Sequence, residues 1–337
     1  MTIIIEEFES SALRNNPLGD PFVRKIPVYL PPSYSNNPDR RYPVVFMLHG
    51  FTGNSEMWLN VNSFYTPNVP QRYEKLIQSG DIGEMILVFP DGYTGFGGSQ
   101  YLNSSATGRY EDYIIQDLVP YIDSRFRTKS HRESRAVAGK SSGGYGAIRL
   151  AMRRPEVFSA VVSHAGDMYF ELCYKPDFPK VIKSLGNYLL ESNPIGKFLE
   201  AFTKADVKKE IDALNILAMG ACYSPVTTGQ EPYFELPFDF HTGELREDIW
   251  QMWLENDPVY MLKKPAFAEA LKTQKLVYLD AGKHDEYNLH LGARVFTTHL
   301  QRLQIPHHHE EFDGGHMNIN YRYDVSLSHI WKAIGVD

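Results

Sequence analysis

Apolar residues in this chain cluster into short continuous blocks. "YPVVFMLHG" (42–50), "EMILVFPDG" (84–92), "SRAVAG" (134–139), "FSAVVSHAG" (158–166) and "KLVYLDAG" (275–282) each close on glycine. Unbroken hydrophobicity over so short a run predicts strands covered on both faces, as in a parallel sheet. Between these blocks lie stretches with helical spacing: "QRYEKLIQSG" (71–80), "YGAIRLAMRRP" (145–155) and "YNLHLGARVFTTHLQRLQ" (287–304). The βαβ alternation predicts a doubly wound α/β fold with a mostly parallel central sheet flanked by helices. At the start, "TIIIEEF" (2–8) and "FVRKIPVYLPP" (22–32) flank the turn-rich "RNNPLGD" (14–20), predicting an antiparallel pair leading into the sheet. "EDYIIQDLVPYIDSRF" (111–126) predicts a helix kinked or broken at Pro120.

The rhythm changes between residues 167 and 262. Asn193-Pro194 and Asp257-Pro258 each read as an N-cap followed by proline in the first helical turn. "GELREDIWQMWLEN" (243–256) has helical spacing, while "NILAMGACY" (215–223) is compatible with helix or strand. Strand rhythm resumes at 275 and ends with "HHHEEFDGGH" (307–316). One domain over 1–337, carrying a helical lid-like insertion at 167–262, accounts for this order better than two tandem domains.

Composition narrows the function classes. Apolar residues make up 43% of the chain and charged residues 22%, enough for a large core. The net charge is −7 and no dense Lys/Arg block occurs, so no nucleic-acid partner is expected. No apolar stretch reaches membrane-spanning length, and the N-terminus lacks the basic region of a signal peptide. Cys173 and Cys222 do not form a disulfide framework. The expectation is a cytoplasmic protein without membrane association; a homo-oligomer is left open.

The chemistry concentrates at "RAVAGKSSGGYGAIRL" (135–150). A phosphate loop would need glycine at position 134, which is Ser134, and a loop where "RAVA" reads as strand. A nucleophile elbow, G-x-S-x-G, places serine at a sharp strand-to-helix turn. Small residues are needed two positions to either side. Ser141 has Gly139 and Gly143 there, whereas Ser142 has Lys140, so Ser141 is the candidate nucleophile. A serine hydroxyl needs a base within reach and an acid to orient that base. In chain order the acid follows the later strand. Asp285 lies beyond that strand's end, with Glu286 in reserve and Asp280 within the strand. His316, after the last strand and a Gly-Gly turn, is the candidate base. His307, His308 and His309 cannot converge on one metal from a single strand, because the middle one faces the opposite way. Ser142 N–H and Phe51 N–H, the latter in "HGFTG" (49–53), are the candidate oxyanion donors.

Taken in order, "HGFTG", "GKSSGGYGA", "GKHDEYNL" and "GGHMNI" resemble the esterase D-like branch of the α/β-hydrolase superfamily, over roughly residues 20–165 and 265–335. That branch includes S-formylglutathione hydrolases, feruloyl and acetyl-xylan esterases, enterochelin esterase-like proteins and mycolyltransferases. The resemblance implies an α/β-hydrolase fold, the set Ser141, Asp285 and His316, and Phe51 and Ser142 as oxyanion donors. "FGGSQYLNSSATGRYEDY" (96–113) resembles the family's pocket-side loop and implies that Tyr101 and Asn103 touch substrate. Trp58, and the aromatics of "GDMYFELCY", "ACYSP" and "YFELPFDF", are either further pocket contacts or core.

The resulting expectation is a serine carboxylic-ester hydrolase forming an acyl-enzyme on short or medium acyl esters or thioesters, with no metal or organic cofactor. An acyltransferase to an alcohol acceptor and a non-catalytic ligand-binding protein of the same fold are the alternatives.

Overall fold

The computed structural model describes residues 1–61, 66–202, 210–227 and 232–335. Eight strands form one sheet: β1 (Thr2–Glu9), β2 (Val23–Leu30), β3 (Val44–Leu48), β4 (Ile86–Val88), β7 (Arg135–Lys140), β8 (Ala160–His164), β9 (Leu276–Gly282) and β10 (His308–Phe312). Their order is β1-β2-β4-β3-β7-β8-β9-β10. β1 pairs antiparallel with β2, and β2 with β4; every later pairing is parallel. A separate hairpin joins β5 (Asn103–Ser104) and β6 (Gly108–Arg109).

The unbroken apolar runs are explained by the two faces of the sheet. Val44, Phe46 and Leu48 of β3 join one core with Val137 and Val161. Val45 and Met47 join another, on the opposite face, with Ala138 and Val162. Strand alternation therefore sends every second residue to a different core, so both faces of these runs are apolar.

Helices α1 (Val69–Gln78), α2 (Tyr110–Asp112), α3 (Val119–Arg125), α4 (Ser142–Arg153), α12 (Leu289–Arg302) and α13 (Tyr323–Ile334) accompany the sheet. Of the kink or break expected at Pro120, the break does not occur. A π-helical turn at Tyr113–Leu118 connects α2 to α3, and helical backbone continues to Arg125. Proline lacks an N–H and crowds the carbonyl four residues before it; a wider turn absorbs both problems without breaking the chain's course.

Between β8 and β9 run α5 (Phe170–Cys173), α6 (Phe178–Leu185), α7 (Pro194–Phe202), α8 (Ile211–Tyr223), α9 (Glu247–Leu254), α10 (Pro258–Met261) and α11 (Pro265–Lys272). Residues 203–209 and 228–231 of the expected insertion lie outside the described residues. Asn193 Oδ1 accepts from Gly196 N–H at 2.9 Å and Asp257 Oδ1 from Val259 N–H at 2.8 Å, so both sequence-read caps are formed. "NILAMGACY" is the body of α8. It is apolar on nearly every face because it is enclosed, which hides the helical period. The segment's aromatics, including Phe178, Phe198, Trp250 and Trp253, form one cluster with Leu102, Tyr145 and Leu289 of the main body. Among the described residues no helix is long and apolar enough to cross a membrane.

A buried polar network locks the C-terminal end to the sheet. Asp280 on β9 meets His164 Nδ1 at 2.6 Å through Oδ1, and accepts from Arg322 Nε at 2.8 Å through Oδ2. His164 Nε2 lies 2.9 Å from Ser326 Oγ on α13. Burial pushes the Asp280 carboxyl up, but His164 and Arg322 outweigh it and hold it below the ordinary value. A carboxyl depressed in the folded state adds stability above its unfolded pKa of about 4, and that stability is lost as pH falls through the lower folded value. Asp280→Asn is expected to lower stability at neutral pH by about 1.5–3 kcal/mol, because Arg322 and His164 lose their shared charged acceptor while Arg322 keeps Glu310. It should also remove this contribution to acid unfolding. Urea titrations across acid to neutral pH check both; an Asn variant as stable as wild type at pH 7 would contradict the network's role.

The turn between β7 and α4 packs backbone directly against backbone. A Cβ on Gly143 would lie 2.1 Å from the Leu48 carbonyl oxygen, and one on Gly139 would lie 2.3 Å from the Gly143 carbonyl carbon. Gly143→Ala is expected to cost about 1–3 kcal/mol or more, since the contacted atoms are backbone and cannot step aside. Thermal melts measure this, and an unchanged Tm would contradict the packing described.

Candidate active site

Those two glycines hold Ser141 at φ 57° and ψ −128°, a conformation costly for any residue with a side chain. Ser141 N–H donates to His164 O at 2.9 Å and Ser141 O accepts from Tyr145 N–H at 2.9 Å, so the turn is fixed on both sides. Its hydroxyl consequently stands clear of the helix it precedes.

Two loops meet this hydroxyl. Gly282 closes β9, and a Cβ there would fall 2.2 Å from Gly314 O. His284 N–H also donates to Gly314 O at 3.0 Å. The loop carrying Asp285 is thereby pressed against the loop carrying His316. His316 Nε2 lies 3.1 Å from Ser141 Oγ, and Nδ1 lies 2.9 Å from Asp285 Oδ2. Asp285 Oδ1 accepts from Tyr287 N–H at 2.9 Å and Leu289 N–H at 3.3 Å. The carboxylate thus caps the start of α12 with one oxygen and orients the imidazole with the other. Glu286, the reserve acid, is exposed; its Oε2 accepts from His316 N–H at 2.7 Å, and this bond depresses its carboxyl. It fastens the base's backbone and makes no bond to the ring.

The loop after β3 is braced by His49. Its Nε2 accepts from Gly92 N–H at 2.8 Å, so Nδ1 carries the proton and donates to Gly50 O at 2.9 Å. A Cβ on Gly50 would touch Ser141 Cβ at 3.3 Å, and the following residue, Phe51, lines the same cavity as Ser141. Ser142 opens α4, so its N–H has no intrahelical acceptor. Among the described residues Phe51 N–H also has no protein acceptor. Both residues line a cavity of about 630 Å³ together with Ser141 and His316. A hydroxyl, a base oriented by a carboxylate, and two unspent backbone donors are the parts required for acyl transfer through serine.

Three expected substrate contacts are corrected by the structure. Trp58 is buried beneath the loop, packed on Phe89 and Tyr323 with ring centroids 5.6 and 5.5 Å away; its neighbour Met57 lines the cavity instead. Tyr101 is buried against Gly92 and Gly146, where no side chain would fit, and its hydroxyl donates to His49 O at 2.8 Å. It supports the loop after β3 from behind. Asn103 is exposed, on the hairpin strand β5, and its Oδ1 accepts from Asp112 N–H at 3.1 Å. None of the three lines the cavity.

Sequence reasoning missed other wall residues: Asp167, Ile211, Asn215 and Met317, and Lys140, which it had weighed only for its bulk. Burial pushes the Lys140 ammonium below the usual lysine range, although Asp285 and Glu286 favour its charge. For Lys140, Asp167 and Met317 the only sequence signal is adjacency to a strand end or to a site residue; Ile211 and Asn215, on α8, carry none. Tyr174, from the aromatic stretch "GDMYFELCY", does line the cavity, whereas Phe170 of the same stretch is core.

A second Ser-His-Asp arrangement, Ser326–His164–Asp280, has comparable distances. All three side chains are buried and none lines the cavity, so no substrate carbonyl reaches that serine.

The Esterase family model matches residues 23–331. An endo-1,4-beta-xylanase/feruloyl esterase of Xylanibacter ruminicola is 30% identical over 192 residues, covering 54% of this chain and 25% of that protein. An esterase of Mycobacterium tuberculosis is 30% identical over 161 residues, covering 47% of this chain and 31% of the relative. The matched region thus spans 25–31% of the length of these curated relatives. A solved ferulic acid esterase superposes with TM-score 0.63 at 18% identity, over 98% of both chains. An S-formylglutathione hydrolase from Staphylococcus aureus superposes with TM-score 0.57 at 19% identity, over 99% of this chain and 98% of the other. The sheet order, the elbow at Ser141 and the family match agree: this chain has the α/β-hydrolase fold and belongs to the Esterase family.

Proposed function

We propose that this protein is a serine carboxylic-ester hydrolase acting on a small-molecule ester or thioester. The observation that carries this reading is the continuous chain Ser141 Oγ–His316 Nε2 and His316 Nδ1–Asp285 Oδ2, opening onto a cavity. His316 takes the Ser141 proton as Oγ attacks the ester carbonyl. Asp285 holds the ring's tautomer and stabilises the imidazolium that forms. The carbonyl oxygen, now negative, accepts from Phe51 N–H and Ser142 N–H. His316 then protonates the leaving alcohol, giving the acyl-enzyme. Water deprotonated by His316 attacks this ester, and the acid leaves with Ser141 reprotonated. The helices of 167–262 act as a lid within one domain; Tyr174, Ile211 and Asn215 supply part of the cavity wall. The cavity's size, and Met57, Leu289 and Met317 in its lining, fit short or medium acyl groups.

With p-nitrophenyl butyrate, Ser141→Ala is expected to lower kcat by at least about 10³-fold. Ser326→Ala, which alters the buried arrangement, should keep kcat within about twofold and lower only the Tm, by an amount corresponding to about 1 kcal/mol. The reverse pattern would contradict the assignment. Across p-nitrophenyl esters from acetate to laurate, kcat/KM is expected to peak at short or medium chains. A maximum at laurate would contradict the pocket reading.

A further inference from the structure

Asp167 follows β8 and lines the cavity that Ser141 and His316 open onto. It is 6% exposed, and among the described residues no Lys or Arg pairs with it. A buried carboxyl without a cation is expensive unless hydrogen bonds compensate. Here Oδ2 accepts from Gln100 Nε2 at 3.0 Å and from Tyr174 O–H at 2.8 Å. Gln100 is itself held from behind, its Nε2 donating to the Tyr223 hydroxyl oxygen at 2.9 Å. The loop bends sharply to deliver it, with Gln100 and Tyr101 both in the left-handed region at φ 50° and 53°. Among the described residues Oδ1 receives no hydrogen bond, which leaves it as the oxygen available to the cavity.

Burial raises the Asp167 carboxyl above its ordinary range despite its two donors. A carboxyl so placed favours a neutral partner, and Lys140 in the same wall disfavours a cationic one. Cys173, Ile211 and Leu289 in the same lining are apolar; Asn215 and Asp212 also line it, but Asp212 is paired with Lys180, so among the described residues Asp167 is the buried carboxylate there without a cation.

We propose that Asp167, braced by Gln100 and Tyr174, selects esters that carry a free hydroxyl on the portion held in the cavity, and discriminates against their deoxy analogues. This inference rests on the esterase reading of Ser141. The hydroxyl can belong to the acid or to the alcohol, and two matched pairs separate these sources. They are p-nitrophenyl 3-hydroxybutyrate against p-nitrophenyl butyrate, and 2-hydroxyethyl butyrate against propyl butyrate. Each kcat/KM is divided by the ester's alkaline hydrolysis rate to remove intrinsic reactivity.

In the wild-type protein at least one pair is expected to favour the hydroxyl ester by about 10–100-fold, the effect of one hydrogen bond to a carboxyl group. Asp167→Ala should bring that ratio to within about twofold of unity, and Tyr174→Phe, which keeps the ring but drops one brace, to an intermediate value. Wild-type ratios near unity in both pairs would overturn the proposal, as would a preference that survives Asp167→Ala. Should that variant fail to fold, the wild-type ratios and Tyr174→Phe decide. Absence of Ser141-dependent hydrolysis of all four esters would instead overturn the esterase reading itself.

Discussion

Backbone contact between Gly139, Gly143 and the end of β3 is the constraint on which the site depends. The three segments approach so closely that a single Cβ at either glycine would collide with main-chain atoms. Ser141 is left with a positive φ and no relaxed alternative while β7 and α4 stay in place. The strain is held by the surrounding parallel strands, which are covered on both faces and cannot shift individually. The same closeness brings Gly50 against Ser141, so the elbow and the loop after β3 are positioned by one packing event.

The two Ser-His-Asp arrangements show why hydrogen-bond geometry alone does not define an active site. Ser326, His164 and Asp280 are as well aligned as Ser141, His316 and Asp285. Ser326, however, lies on the regular helix α13, buried under a core. It is not at a strained turn, and its hydroxyl closes a network that ties α13 to the sheet. Ser141 differs by backbone strain, by the neighbouring unspent N–H groups and by the cavity in front of it. Acyl transfer through serine needs the donors and a cavity open to substrate; the strain is what this fold uses to present the hydroxyl to them.

Much of this was legible in the sequence because it is written in local pattern. Buried parallel strands show as unbroken apolar runs, and the elbow shows as glycines at fixed offsets from Ser141. Asp285 and His316 followed from chain order and from their positions just beyond strand ends. What the sequence concealed depends on contacts between distant segments. Trp58 and Tyr101 are aromatic residues in suggestive loops, but Tyr101 fills the room left by Gly92 and Gly146, and Trp58 meets Tyr323 from the far end of the chain. Asn103 turns toward Asp112, the last residue of α2. Gln100 meets Asp167, and His164 meets Asp280, only after folding, and no spacing rule encodes either pair. Helix α8 was ambiguous because burial on all sides erases periodicity. The π-turn before Pro120 shows that a proline's local rule can be absorbed by a change of helical pitch.

Covalent capture of the nucleophile tests the central claim most directly. The protein would be incubated with a fluorophosphonate, digested and mapped by tandem mass spectrometry. The expected result is stoichiometric phosphonylation of the peptide containing Ser141, with none on the peptide containing Ser326. Folded protein that remains unlabelled at Ser141, or that is labelled at another serine, would contradict the account.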